Sequence, residues 1–111
     1  MQLDAALIAA GPAQALPPGA RKLVFVPGGE SVVVLNVDGA FYALENSCPH
    51  AGASIASGAC DGLAISCPAH GLKFNIRNGQ CVSSPQMTIP TYEVVEQDGQ
   101  LWLQPPMAQT A

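Results

Sequence analysis

Basic residues are scarce in this chain of 111: Arg21, Lys22, Lys73 and Arg77 are the whole set, and only 11% of residues are charged. Binding to nucleic acid needs a basic patch or stripe, so that class of function is excluded. Against eight acidic residues the formal net charge is -4, which favours a partner with a basic docking face and also serves solubility. No run approaches the ~20 apolar residues of a membrane helix. The opening residues Met1–Ala10 lack a basic stretch, and Asp4 interrupts their apolar run. No export leader is therefore expected, and the expected compartment is the cytoplasm. Capped windows with a helical apolar period are missing beyond a turn or two, which excludes long helices.

What is present is enough for a core, with 49% hydrophobic residues, and many turns, with ten prolines and eleven glycines. That length and composition predict one domain over residues 1–111. Ser31–Val37 (SVVVLNV) is a β-branched run that meets Asp38-Gly39 before Phe41–Leu44 resumes the pattern. An Asp-Gly pair between two such runs predicts a tight hairpin. Tyr92–Val95, Asp98-Gly99 and Leu101–Leu103 repeat the arrangement, and Arg21–Val26 predicts a further strand. Asp61-Gly62 and Asn78-Gly79 mark two more turns, with Leu63–Ile65 between them, and Pro105–Ala111 reads as a loose tail. Short strands with frequent turns predict an all-β antiparallel sandwich or partly open barrel.

The chemistry lies between the two hairpins, in Cys48-Pro49-His50-Ala51-Gly52 and Cys67-Pro68-Ala69-His70-Gly71. The chain has two histidines, and each follows a Cys-Pro pair within three residues, giving the pattern C-x-H-x16-C-x-x-H. Each segment offers one thiolate and one imidazole, which suits a cluster whose two irons differ in ligation, as in a Rieske centre. Proline after each cysteine stiffens the loop. Two other metal sites draw on the same residue types. A Cys₂His₂ zinc site uses this donor set, but it spaces paired ligands about two to four residues apart, and Cys48 and His50 sit closer. A four-cysteine [2Fe–2S] site on Cys48, Cys60, Cys67 and Cys81 lacks the plant-type spacing and leaves both histidines idle. A Cys–His nucleophile gives no reason for two copies.

The two boxes resemble those of the Rieske iron–sulfur family, in particular the small ferredoxins that serve bacterial ring-hydroxylating oxygenases. The resemblance runs over roughly residues 20–104 and includes Asn36–Leu44, His70–Phe74 and the closing Tyr92-Glu93-Val94 with Asp98-Gly99. It implies a Rieske-type antiparallel β-sandwich with a small cluster-binding subdomain at the tip, at about residues 46–86, and a proline loop at Ser83-Ser84-Pro85. It implies one [2Fe–2S] cluster held by Cys48, His50, Cys67 and His70. In function it implies a low-potential carrier, not an enzyme, passing single electrons from a flavin-dependent ferredoxin reductase to a terminal oxygenase of aromatic catabolism, as a monomer. The small subunit of an assimilatory nitrite reductase is the alternative within the same fold. A catalytic oxygenase subunit needs a separate mononuclear iron site, and no histidine is left for one. Respiratory relatives brace their loops with a disulfide, but the matching places here are Ala53 and Ala69. Cys60 and Cys81 are accordingly expected as buried thiols outside any disulfide.

The purified protein is expected to hold about two irons and two labile sulfides per chain. Metal and sulfide analysis checks this, and stoichiometric zinc without sulfide is the contrary result.

Overall fold

Both Asp-Gly pairs turn the chain as their chemistry demands. Asp38 and Gly39 take φ of 53° and 95°, and Asp98 and Gly99 take 56° and 78°, the left-handed pair of a type I′ hairpin. The computed structural model describes residues 7–26, 31–47, 54–67, 71–82 and 87–104. Among these, the strands are β1 (Ile8–Pro12), β2 (Arg21–Phe25), β3 (Ser31–Val37), β4 (Ala40–Glu45), β5 (Cys60–Asp61), β6 (Ala64–Ser66), β7 (Lys73–Asn75), β8 (Thr91–Gln97) and β9 (Gln100–Gln104), with a 3₁₀ turn at Ala13–Ala15. The architecture is antiparallel and all-β. The tail from Pro105 onward lies outside the described residues.

One sheet has the order β1-β9-β8-β4-β3-β2, and a smaller one the order β5-β6-β7. In the large sheet β4 and β8 pair only at Ala43↔Tyr92 and Leu44↔Thr91, so its two halves splay apart. Its outer strands nevertheless approach one another, because Lys22 Nζ on β2 donates to the Ala10 carbonyl on β1 at 2.8 Å. The sheet therefore curls on itself, and Val24, Val32, Val34, Leu101 and Leu103 fill its interior. The opposite face of β3 carries Val33 and Leu35, which join Ile55, Ile65, Phe74 and Ile76 in a second core beneath the small sheet. Among the described residues no helix is long and apolar enough to cross a membrane.

Three local features depart from the sequence-based expectation. β1 has weak strand formers, Ala9, Ala10, Gly11 and Pro12; its pairing with β9, bulged between Ala9 and Gly11, overrides propensity. β7 is only three residues long, too short for a periodic signal. The turn at Asp61-Gly62 is centred one residue later: Asp61 pairs with Ala64, leaving Gly62 (φ 63°) and Leu63 as central residues, with glycine first as a type II′ turn prefers.

Gly58 marks the tightest approach between the small sheet and the segment before it. A Cβ there meets the Ser66 carbonyl oxygen at 1.7 Å, whereas one at Gly19 meets nothing within 4 Å. Gly58→Ala is expected to cost about 1–3 kcal/mol of stability through forced backbone movement. Gly19, at φ 90°, should cost no more than the roughly 1–2 kcal/mol of a left-handed alanine. Thermal midpoints of the two variants, measured side by side, check the order.

Candidate metal centre

The second ligand box occupies the β6–β7 hairpin. Beyond the last ladder pair, Ser66↔Lys73, Cys67 N–H donates to the Leu72 carbonyl at 2.7 Å and Gly71 N–H donates to the Cys67 carbonyl at 2.8 Å. Gly71 has φ 74°, and a Cβ there would meet nothing within 4 Å, so glycine is required by conformation and not by crowding. The residues that flank 83–86 on either side are tied near this hairpin. Val82 N–H donates to the Lys73 carbonyl at 2.8 Å, and Cys81 N–H donates to the Met87 carbonyl at 2.9 Å. Phe74 and Cys81 form an isolated bridge between them.

The first ligand box is closed differently. Its incoming stem continues the β3–β4 ladder by one bond, Asn46 N–H to the Ser31 carbonyl at 2.8 Å. Its outgoing stem, from Ser54, belongs to no strand before β5. The Asn46 side chain joins the two stems instead. Its Oδ1 accepts from Ala56 N–H at 2.8 Å and from Ser54 Oγ at 3.1 Å, while Nδ2 donates to Ser31 Oγ at 3.3 Å. Behind them, Arg21 Nη1 donates to the carbonyls of Ala56 and Gly58 at 2.8 and 2.7 Å.

Of the four sequence-predicted ligands, Cys67 lies among the described residues; Cys48, His50 and His70 lie outside them, as does Ser83-Ser84-Pro85. Cys67 is 0% exposed, part of the core under the small sheet, and outside any disulfide. A buried thiol at the neck of a hairpin that carries a histidine three residues on fits a soft iron ligand. The competing four-cysteine set fails. Among the described residues no three His, Cys, Asp or Glu side chains gather into a metal-holding group, so Cys60, Cys67 and Cys81 do not share one cluster. Cys81 is buried, as expected, and neither it nor Cys60 is disulfide-bonded. The expectation of a buried Cys60 is corrected: it is exposed, because β5 is a two-residue outer strand of the small sheet whose residues both face solvent. Asn46 and Arg21 escaped sequence reasoning. The available signal was an amide side chain at the end of a strand, two residues ahead of a ligand box.

Comparison with known proteins agrees with this geometry. The family model described as Rieske [2Fe-2S] domain matches residues 6–93. The chain is 38% identical over 88 residues to Ferredoxin CarAc of Metapseudomonas resinovorans, covering 78% of this chain and 81% of the relative. It is 33% identical over 87 residues to the 3-phenylpropionate/cinnamic acid dioxygenase ferredoxin subunit of Photorhabdus laumondii, covering 77% and 80%. A chain in the solved complex of reduced oxygenase and oxidized ferredoxin of carbazole 1,9a-dioxygenase superposes with TM-score 0.85 at 30% identity, over 95% of this chain and 98% of that one. The small subunit of an NADH-dependent nitrite reductase from Mycobacterium tuberculosis gives TM-score 0.77 at 23% identity, over 95% and 96%, a likeness of fold alone.

The difference in exposure predicts different thiol reactivity. In the folded protein a maleimide reagent should modify Cys60 rapidly and Cys81, at 1% exposure, only on unfolding. Cys60→Ser should leave the visible spectrum unchanged. Mass spectrometry of the labelled protein checks the first expectation, and absorption spectroscopy checks the second.

Proposed function

Because the chain belongs to the Rieske [2Fe-2S] domain family, we propose that it is a ferredoxin component that delivers single electrons to a terminal oxygenase and is not itself the catalyst. The observation that carries this reading is likeness at 38% and 33% identity, over about four-fifths of both partners, to proteins named as ferredoxins. The chain's two histidines are both taken by the ligand boxes, which leaves none for a mononuclear oxygenase site. Its cofactor is one Rieske-type [2Fe–2S] cluster, which when bound supplies reversible one-electron chemistry.

Cys48 and Cys67 would hold one iron and His50 and His70 the other; the C-x-H and C-x-x-H boxes and the buried Cys67 thiol support this assignment. Cys67 presents its thiolate from inside the core, out of water. Leu72 follows the second box with an apolar side chain packed against that core, so it brings no hydroxyl donor, and the reduced cluster gains less stabilisation. Upstream, a flavin-dependent reductase supplies the electrons. In this reading the protein works in the cytoplasm as a monomer. The fold likeness to a nitrite reductase small subunit makes a permanent subunit of such an enzyme the second reading.

Three measurements test the proposal together. The midpoint potential should lie near the low end of the Rieske range, about -150 mV at neutral pH, by protein-film voltammetry. Chemically reduced protein should be reoxidised by a terminal Rieske oxygenase with oxygen and substrate present, and should elute alone on gel filtration. A midpoint well above zero, or a stable complex with a nitrite reductase large subunit and no electron delivery to oxygenase, overturns the reading.

A further inference from the structure

We propose that Asn46 is the positioning residue of the first ligand loop. Its side chain fixes the separation of the loop's two stems, and through them the placement of Cys48 and His50. The inference rests on the ligand assignment above and deepens it.

The second ligand box is closed by a main-chain bond at the end of a ladder, Cys67 to Leu72, and the stretch after Val82 by one beside isolated bridges, Cys81 to Met87. Such closure is set by strand register and tolerates many side chains. Among the described residues the first box shows no equivalent bond. Its incoming stem is tied to β3 by the Asn46 N–H bond to the Ser31 carbonyl, and its outgoing stem is a segment without a strand partner. Among the described residues, what connects them is one carboxamide oxygen, accepting at 2.8 Å from Ala56 N–H and at 3.1 Å from Ser54 Oγ. The amide nitrogen reaches back to Ser31 Oγ at 3.3 Å, which sets the orientation of the carboxamide. Asparagine suits the place because one short side chain carries both an acceptor with two lone pairs and a donor.

The outgoing stem is in turn held from the sheet side. Arg21 faces the same side of the large sheet as its cross-strand partner Leu35, which packs in the core under the small sheet. Its guanidinium takes the carbonyls of Ala56 and Gly58. Ala56 is therefore gripped at both ends of one residue: its N–H by Asn46 and its carbonyl by Arg21. Residues that hold metal ligands in place are often as important to metal retention as the ligands themselves, and their loss commonly costs about 10- to 100-fold in affinity.

The test compares Asn46→Ala, Asn46→Asp and Ser31→Ala in the full, cluster-loaded chain. Asn46→Asp keeps both acceptor contacts, and the Ser31 hydroxyl can turn to donate to the carboxylate. The readouts are the g-values of the reduced cluster by electron paramagnetic resonance and the half-life of the cluster under chelator. Leu103→Ala, in the other core, serves as a variant that weakens the fold without touching either stem. Asn46→Ala should shift or broaden the g-values and shorten the half-life about tenfold or more. Asn46→Asp should keep the parent g-values and a half-life within about twofold of the parent, and Ser31→Ala should behave as the parent. Leu103→Ala should keep the parent g-values. Unchanged g-values and half-life in Asn46→Ala overturn the proposal, as does damage in Asn46→Asp equal to that in Asn46→Ala. Should Asn46→Ala fail to load, Asn46→Asp decides alone: a parent-like signal supports the role and its loss refutes it. A parent protein without a Rieske signal points instead to failure of the ligand assignment.

Discussion

β3 is buried on both faces, and the placement of everything else follows from that. Val32 and Val34 point into the curled large sheet, while Val33 and Leu35 point into the core of the small one, all at 2% exposure or less. A strand with one wet face alternates apolar and polar residues; SVVVLNV does not, because neither face is wet. The run thus gives the small sheet a fixed floor. Ile65 and Phe74 stand on that floor from β6 and β7, and Cys67 is the next residue after β6. The position of the proposed ligand Cys67 is in this way inherited from side-chain packing, which is dense and intolerant of displacement.

A carrier benefits from that arrangement. Electron uptake and release are fast when the ligands keep their places in both oxidation states, so the loops that bear them need firm necks more than they need regular structure. The necks here differ in kind. Among the described residues, one is a main-chain closure at the end of a short ladder, one a main-chain closure beside isolated bridges, and one is made by a carboxamide, with Arg21 bracing it from the sheet. Rigid strands placing functional loops is the usual division of labour; here a side chain, that of Asn46, joins the stems of one such loop.

These differences explain what the sequence revealed and what it concealed. The two hairpins were legible because Asp-Gly forces a local geometry that needs no tertiary support. The proposed ligand boxes stand out in the sequence because metal chemistry restricts residue type and spacing together. β1 was not, since its pairing with β9 supplies what Ala9, Gly11 and Pro12 lack in strand propensity. The exposure of Cys60 followed from its place on an outer strand of only two residues, and strand order in a sheet is not written in local pattern. Asn46 was hidden for a related reason: its partners are Ser54 and Ala56, across the ligand box, and Ser31, on the neighbouring strand.

Charge completes the picture of a protein built to be recognised weakly and at a distance. The net charge of -4 sets the long-range field whatever the cations touch, but two of the four cations have structural partners. Arg21 and Lys22 are spent on backbone carbonyls, and Lys73 and Arg77 are the exposed pair. Asp38, Asp61, Glu93, Glu96 and Asp98 are all exposed. Among the described residues these five exposed acids outnumber the two exposed cations, so attraction has to come mainly from cations on the partner. Such attraction speeds encounter and weakens as salt screens it over roughly 10 Å. It adds little to the lifetime of a complex, since exposed ion pairs contribute only about 0–1 kcal/mol each. Fast arrival with easy departure is the pairing that a shuttle between two proteins requires.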